Sequence, residues 1–322
     1  MAHDEIRVLL TGPTGFVGSA VHDALRQGGV RVRRLVRGSA PDPAGNVVHG
    51  DLTDSRSLRG ACDSVDAVVH AASYVGPDPA RCEQVNHLGT RHLLAEAARA
   101  GVRRVLYVGT AAVYGNGPHR GLTEDERPIA PASPVSASRA AADAAVREHG
   151  GCVLRPHLVY GPGDRWVVPA LVAMLAALPG WIDDGRARLS MVNVQALARL
   201  AFALTVTPAP PGALFHADHP TPVTVRDAAE ALARHLGVRI PRGALSADRL
   251  AALSLPSGLT RRHLAMVSDD HWYASAQVWR LTGQDPGPAV PDDLRSAPVW
   301  YPDLVAGRAL PAHHHQLVAG AQ

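Results

Sequence analysis

Short apolar runs alternate with longer amphipathic stretches through the first half of the chain. "IRVLL" (6–10), "VRVRRLV" (30–36), "DAVVHAAS" (66–73), "RRVLYVGT" (103–110) and "CVLRP" (152–156) have the length and β-branched content of buried strands. Between them, "SAVHDALRQGG" (19–29) and residues 84–100 and 134–148 carry helical spacing, and "NVVHGDLTD" (46–54) is a strand that ends on a predicted helix start. This rhythm predicts right-handed βαβ units and an α/β fold with a doubly wound parallel sheet covered on both faces. After "YGPGD" (160–164) the rhythm loosens. Residues 167–178 read as an apolar helix, "ARLSMVNVQALARLAFAL" (187–204) as a strand feeding a helix, and "TVRDAAEALARHLG" (224–237) as a helix capped by Thr224 and stopped by Gly237.

The first strand runs into "TGPTGFVG" (11–18), which opens the first helix. In such a loop Gly12 permits a tight turn, Gly15 lets a pyrophosphate approach the backbone, and Gly18 lets the helix pack close to the sheet. Thr14, Phe16 and Val17 complete the helix N-terminus, whose free N–H groups favour phosphate. The placement strand–loop–helix ahead of repeated βαβ units marks a Rossmann cofactor domain, predicted over residues 1–165 with a returning segment at about 187–215. Residues 166–186 and 216–322 are left for a smaller substrate-binding lobe. The second strand ends on Val36-Arg37 with no carboxylate before Asp42. An arginine there suits the 2′-phosphate of NADP(H), with Arg34 a lesser candidate and NAD(H) still open.

Composition removes several classes. The chain has 322 residues, 46% of them hydrophobic, enough for two lobes with a core. The net charge of +3 comes without a basic block or an aromatic–basic stripe, so no nucleic-acid partner is expected. All 32 basic residues are Arg, so the absence of a lysine anywhere reflects a general bias. Cys62, Cys82 and Cys152 are too scattered for a disulfide framework and read as reduced structural thiols. No run approaches the ~20 apolar residues of a bilayer span, and no basic n-region precedes Ile6, so no membrane association and a cytoplasmic location are expected. "HHH" (313–315) reads as a solvated tail, and no metal site is expected.

The loop, "GDLTD" (50–54), "HAAS" (70–73), "VNHLGT" (85–90), "GTAAVYG" (109–115), "EDERPIAPASP" (124–134) and "LRPHLVYGPGD" (154–164) occur in the order found in extended short-chain dehydrogenases/reductases, the relatives of nucleotide-sugar epimerases and dehydratases, which the chain resembles over nearly its whole length. The resemblance implies that Asp51 and Leu52 sit at the adenine, that Ala71 and Ala72 pass close to the cofactor, and that Asn86 supports the site. It further implies that Pro156, His157 and Leu158 flank the nicotinamide and that Thr110 takes the place of the catalytic Ser or Thr. Dimerisation through residues 84–100 and 134–148 is a further analogy, so a homodimer is a possible partner state.

The resemblance fails at one place. Where the family carries Pro-Tyr-x-x-Ser-Lys, this chain has "PVSASR" (134–139). Arg139 keeps a cation and hydrogen-bond donors for a ribose. Val135 keeps nothing: it has no proton to give. General acid catalysis contributes about 10²–10⁴-fold, so another group must supply it. Tyr74, Ser136, Tyr114 and His157 are candidates from the chain. The substrate is another, since a ketone beside a phenol carries an internal hydrogen bond and well-oriented intramolecular groups reach effective molarities of about 10⁵–10⁸ M. Thr110 and Arg139 would then stabilise developing charge. Leu158 stands where the family often has an Asn serving its sugar substrate, and "WVVPALVAMLAALPGWI" (166–182) suits a flat apolar ligand as well as an ordinary core helix. The expectation is an NADPH-dependent ketoreductase of a small-molecule aromatic ketone of polyketide type, in antibiotic biosynthesis. A non-catalytic NADP(H) sensor or scaffold and an epimerase or dehydratase with another acid remain open.

Overall fold

The computed structural model describes residues 6–38, 45–124, 126–207, 209–254 and 261–305. The first half runs β1 (Arg7–Thr11), α1 (Phe16–Gln27), β2 (Arg31–Val36), β3 (Val47–His49), β4 (Ala67–His70), α2 (Pro79–Cys82), a π-turn (Glu83–Leu88), α3 (Gly89–Arg99), β5 (Arg104–Val108), β6 (His119–Leu122), α4 (Pro134–Glu148) and β7 (Cys152–Arg155). The second half adds β8 (Leu158–Tyr160), α5 (Val167–Ala177), β9 (Arg188–Leu189), β10 (Met191–Asn193), α6 (Val194–Val206), β11 (Leu214–His216), β12 (Val223–Thr224), α7 (Val225–Leu236), α8 (Ala247–Ala251), α9 (Arg261–Ser268), β13 (His271–Tyr273) and α10 (Ala276–Thr282).

Seven strands form one parallel sheet in the order β11-β7-β5-β4-β1-β2-β3. Successive side chains point to opposite faces. Leu9 therefore joins a cluster with Val68, Leu93 and Val146 under α3 and α4, while Leu10 joins one with Leu25, Leu197 and Leu200 under α1 and α6. Because both faces are covered, the central strands β1, β4, β5 and β7 are buried nearly throughout and stand out as apolar runs, whereas β2, nearer the edge, carries Arg31, Arg33 and Arg34. The chain leaves β1 for β2 on one side and returns to β4 on the other, so the strand order reverses there and a crevice opens at the carboxyl ends, with Thr11 paired to His70.

The second lobe is organised differently. A four-stranded sheet, β12-β9-β13-β6, joins segments from three parts of the chain, and β8 pairs with β10 beside it. A third core forms around α5 and α7, including Leu171, Leu175, Ala228 and Leu232. Thr224 caps α7 by accepting from the Asp227 N–H, and Gly237 ends it in the left-handed region, as its sequence predicts. Three details depart from the expected pattern. Residues 51–64 form turns instead of a helix; the stretch at 84–100 is a π-turn continuing into α3; and the strand at 188–189 belongs to the small sheet, so the chain rejoins the large sheet through α6 and β11.

The glycine loop is the tightest packing in the fold. A Cβ on Gly18 would lie 1.9 Å from the Gly12 carbonyl oxygen, and one on Gly12, whose φ is +68°, would lie 2.7 Å from the Ala72 backbone. Gly18→Ala is expected to displace the loop, lower stability by about 1–3 kcal/mol and abolish cofactor binding. Thermal denaturation with and without nicotinamide nucleotide checks this, and a variant that melts and binds as the parent does would show the loop to be slack.

Candidate active site

The cleft at the strand-order reversal holds about 940 Å³. Gly12, Thr14, Gly15, Arg37, Asp51, Leu52, Ala71 and Ala72 line it, together with Ser73, Tyr74 and Arg81, which sequence reasoning did not assign to the cofactor. Phe16, Val17 and Gly18 begin α1 behind the loop; the helix starts after Gly15 with no side-chain cap, leaving its first N–H groups for a ligand. The cradle fits a dinucleotide: the start of α1 is uncapped, and a Cβ on Gly12 or Gly18 would strike the backbone of Ala72 or of Gly12, so the turn that presents these N–H groups requires glycine at both positions. Arg37 is exposed on the wall, whereas Arg34 is not part of the lining. Asp51 accepts from the backbone N–H and the hydroxyl of Thr53, both at 2.8 Å. The Thr53 N–H is the main reason its carboxyl lies below the ordinary range; the Arg37 and Arg81 charges add to it. Asp51 therefore both shapes a turn and faces the cleft.

Buried hydrogen bonds fix the floor. Thr90 donates to the Asn86 carbonyl, so its oxygen receives the Nε2 proton of His70 at 2.9 Å, and His70 Nδ1 meets the Thr11 hydroxyl at 2.6 Å. Burial holds the His70 imidazole neutral, its pKa down to about 3, with the Arg139 charge acting the same way. Asn86 itself lies in the π-turn and is 2% exposed. Its oxygen accepts from the Tyr74 N–H at 2.7 Å and the Ser73 hydroxyl at 3.3 Å; its amide nitrogen donates to the Tyr74 carbonyl at 2.9 Å and to Ser138 at 3.0 Å.

The helix with the missing acid is firmly placed. Ser133 and Ser136 form a reciprocal capping box at the start of α4. Val135 follows, half-buried, and Arg139 comes one turn later. Arg139 Nη2 donates to the carbonyls of Val108 (3.0 Å) and Gly109 (2.8 Å) at the end of β5, while its buried Nε has no hydrogen-bond partner. Next to Gly109, the Thr110 hydroxyl accepts from the Ala112 N–H at 3.2 Å, leaving its own proton free to donate. Thr110 and Arg139 thus meet at one end of β5.

The four side chains that could replace the tyrosine are placed very differently. Tyr114 is buried, receives Arg155 at 2.7 Å and bonds His216 at 2.8 Å, and Arg155 is in turn held by a buried pair with Asp143. Ser136 is locked in the capping box. Pro156 ties β7 to the Thr110 turn by accepting from the Ala111 N–H at 2.8 Å. The His157 ring stacks 5.8 Å from His271 and edge-on to Tyr273, and its backbone N–H donates to Asp218. Of the four, Tyr74 alone lines the cleft. Its hydroxyl, however, is folded back against the loop: a Cβ on Gly76 would lie 2.2 Å from it.

A second cavity of about 200 Å³ opens beyond β8, lined by Leu158, Trp166, Val167, Leu171, Met174, Leu189, Met266 and Val267 among others. Its wall α5 is started by the Asp164 carboxylate, which accepts from the N–H groups of Trp166, Val167 and Val168 and from the Tyr301 hydroxyl. Cys62, Cys82 and Cys152 are free and buried; burial pushes the Cys62 and Cys152 thiols up to about 12. Among the described residues no group of His, Cys, Asp or Glu is arranged to hold a metal ion, and residues 313–315 lie outside the described residues. No described helix is long and apolar enough to cross a membrane.

Residues 8–211 match the family model for the NAD dependent epimerase/dehydratase family. The chain is 28% identical over 324 residues to a 2-alkyl-3-oxoalkanoate reductase of Stenotrophomonas maltophilia, covering 90% of this chain and 98% of the relative. It is 26% identical over 316 residues to the 4-hydroxy-2-methyl-3-oxo-4-farnesyl-3,4-dihydroquinoline-1-oxide ketoreductase of Stigmatella aurantiaca, covering 87% and 94%. In fold it is similar to a dTDP-glucose 4,6-dehydratase from Streptomyces venezuelae solved with NAD and TYD, with a TM-score of 0.70 at 23% identity over 94% of this chain and 99% of that one.

Buried imidazoles set the acid limit of the fold. Burial depresses His70 and His216 to about 3, His119 to about 4, and His157 well below its ordinary value. Below about pH 6.5 the unfolded chain therefore takes up protons that the native state refuses, and stability falls as pH drops towards 4. Asp218, raised by burial to about 7, and Asp164, raised by the same cause, work in the opposite sense, two carboxyls against five imidazoles, since burial lowers His22 as well. The melting temperature is expected to fall steadily from about pH 7 to about pH 5; a rise on acidification would mean that these rings are charged in the native protein.

Proposed function

The chain belongs to the NAD dependent epimerase/dehydratase family, a family of nicotinamide-nucleotide-dependent oxidoreductases, and from that premise we propose that it is an NADPH-dependent ketoreductase of an apolar ketone bearing a neighbouring phenol. The observation that carries the proposal is Val135. A group unable to donate a proton occupies the acid's place on an otherwise intact helix, within the Ser133–Ser136 capping box and one turn before an Arg139 still directed at the end of β5. Two relatives that cover most of the chain bear names of ketone reductases, which supports reduction over epimerisation.

When bound, the reduced nicotinamide supplies hydride to the carbonyl carbon. The carbonyl π pair moves onto oxygen, and the phenol hydroxyl passes its proton to that oxygen, leaving a phenolate that solvent later protonates. Thr110 has a free hydroxyl proton with which to orient the carbonyl, and the Arg139 charge at Gly109 stabilises negative charge as it develops. The apolar cavity lined by Leu158, Met174 and Met266 supports an aromatic or alkyl body on the substrate in place of a sugar nucleotide. Arg37, exposed on the cleft wall at the end of β2, where the sequence has no carboxylate before Asp42, supports the 2′-phosphate, its charge also being felt by Asp51. Antibiotic-pathway chemistry and a cytoplasmic setting are part of this proposal.

Purified protein is expected to oxidise NADPH with an ortho- or peri-hydroxy aryl ketone and to turn over the O-methyl ether at least about 100-fold more slowly. Equal turnover of the two would remove the substrate from its role as acid, and tight NADPH binding without turnover on any ketone would instead favour a sensor. Val135→Tyr is expected to raise turnover of the methyl ether by about 10-fold or more, since it restores a donor beside Thr110 and Arg139; no gain would place the reacting oxygen elsewhere. Arg37→Ala should weaken NADPH by about 10-fold or more and leave NADH nearly unchanged, measured by direct titration.

A further inference from the structure

The glycine loop offers a diphosphate N–H groups and the Thr14 hydroxyl but no cation. Arg139 lies at the far end of β5 with Nη2 engaged by two carbonyls, and Arg37 lies at the end of β2. A cation does stand on the opposite wall. Arg81, in the short helix α2, lines the cleft with Gly12–Gly15, and its guanidinium makes no hydrogen bond or ion pair with a described residue.

It is nevertheless held in place. The Arg81 Cζ sits 5.1 Å from the centroid of the Tyr74 ring, a cation–π contact. That ring cannot swing away easily: Asn86 grips both the N–H and the carbonyl of Tyr74, and the Tyr74 hydroxyl lies against Gly76. Asp78 caps α2 by accepting from the N–H groups of Ala80 and Arg81. Tyr74 is two residues beyond Ala72, the residue whose backbone touches Gly12. The stacked guanidinium therefore lines the cleft beside the loop after β4, within reach of Asp51, whose carboxyl feels its charge, and it shares that cleft with the glycine loop, where a dinucleotide's phosphates would lie on the α1 N-terminus.

We propose that Arg81, laid flat on Tyr74, is the cation that binds the cofactor's diphosphate from the wall opposite the glycine loop. It rests on the reading of this cleft as the dinucleotide site but not on the choice of NADP(H). The diphosphate is common to both cofactors and the 2′-phosphate is not, so Arg81 and Arg37 leave different signatures.

The test is direct titration of NADPH, NADH and ADP-ribose, the last lacking both nicotinamide and 2′-phosphate, against the full-length protein and its Arg81→Ala, Arg81→Lys and Arg37→Ala variants. Arg81 is exposed, and equal melting temperatures of parent and Arg81→Ala confirm that the fold is retained. Arg81→Ala is expected to raise the Kd of all three ligands by a similar factor, about 10-fold, and Arg81→Lys, which keeps the charge, to recover part of the loss. A loss confined to NADPH would assign Arg81 to the 2′-phosphate and overturn the proposal. Changes below about 2-fold for all three would overturn it too. If Arg37→Ala weakens NADPH and NADH alike, the NADP(H) preference fails while the Arg81 result stands.

Discussion

One buried amide holds the two walls of the site together. Asn86 makes the four hydrogen bonds its side chain can offer, three of them to Ser73 and Tyr74 on the loop after β4 and one to Ser138 on α4. Removing it would leave buried polar groups unmatched on both sides, at about 1–3 kcal/mol each. The π-turn that presents it leads directly into α3, a wider turn of the kind often found at functional sites. Through the same turn, the Asn86 carbonyl receives Thr90, which receives His70, which meets Thr11 beneath the glycine loop. The loop, the cation-bearing wall and the catalytic helix are therefore set by one connected set of bonds.

Such a set keeps α4 in place whatever side chain stands at position 135. In α4 the capping box, the Ser138 bonds to Asn86 and to the Val135 carbonyl, and the Asp143–Arg155 pair all act through groups other than the side chain at 135. That position is structurally undemanding, so its chemistry is free to change. Arg139 differs. One guanidinium nitrogen, Nη2, donates to the successive carbonyls of Val108 and Gly109, and the side chain still presents a buried Nε without a hydrogen-bond partner, a donor that a lysine lacks. It is anchored and also available.

What the sequence discloses follows from how local each signal is. The large sheet is covered on both faces, so its central strands are apolar runs, and the glycine triplet, Thr224 and Gly237 act within a few residues of themselves. The small sheet was not legible, because its strands are two to four residues long and pair β6 with β13 across about 150 residues. Arg81 was missed for the same reason. It lies on a four-residue helix in an arginine-rich chain, and only the fold brings it over Tyr74. His157 shows the converse. Its position beside Pro156 points to the cofactor, and the contacts of its ring with His271 and Tyr273, made from the bend between β7 and β8, are long-range packing that no local signal discloses. Residues 51–64 carry polar turn formers that mimic a helix start, and Asp51 closes on Thr53 instead.

The two cavities divide recognition between them on physical grounds. The cofactor cleft is lined by glycine backbone, Arg37, Arg81 and Asp51, a surface suited to a charged, hydrogen-bonding ligand. The cavity beyond β8 is lined by Leu158, methionines and branched aliphatics, with His263 and Trp166 its only described side chains bearing polar atoms, a surface on which most sugar hydroxyls would be left without partners, each at a cost of about 1–3 kcal/mol. Methionine adapts to irregular shapes and makes favourable contacts with aromatic edges, so Met174 and Met266 suit a ring system better than a fixed aliphatic wall would. Leu158 sits on β8, three residues past Arg155, whose pair with Asp143 fixes β7 against α4. On the proposed reading, a ligand body seated against Leu158 would be registered against the helix that carries Val135 and Arg139, and exclusion of water by that apolar wall would strengthen the charge interactions at a carbonyl oxygen held there.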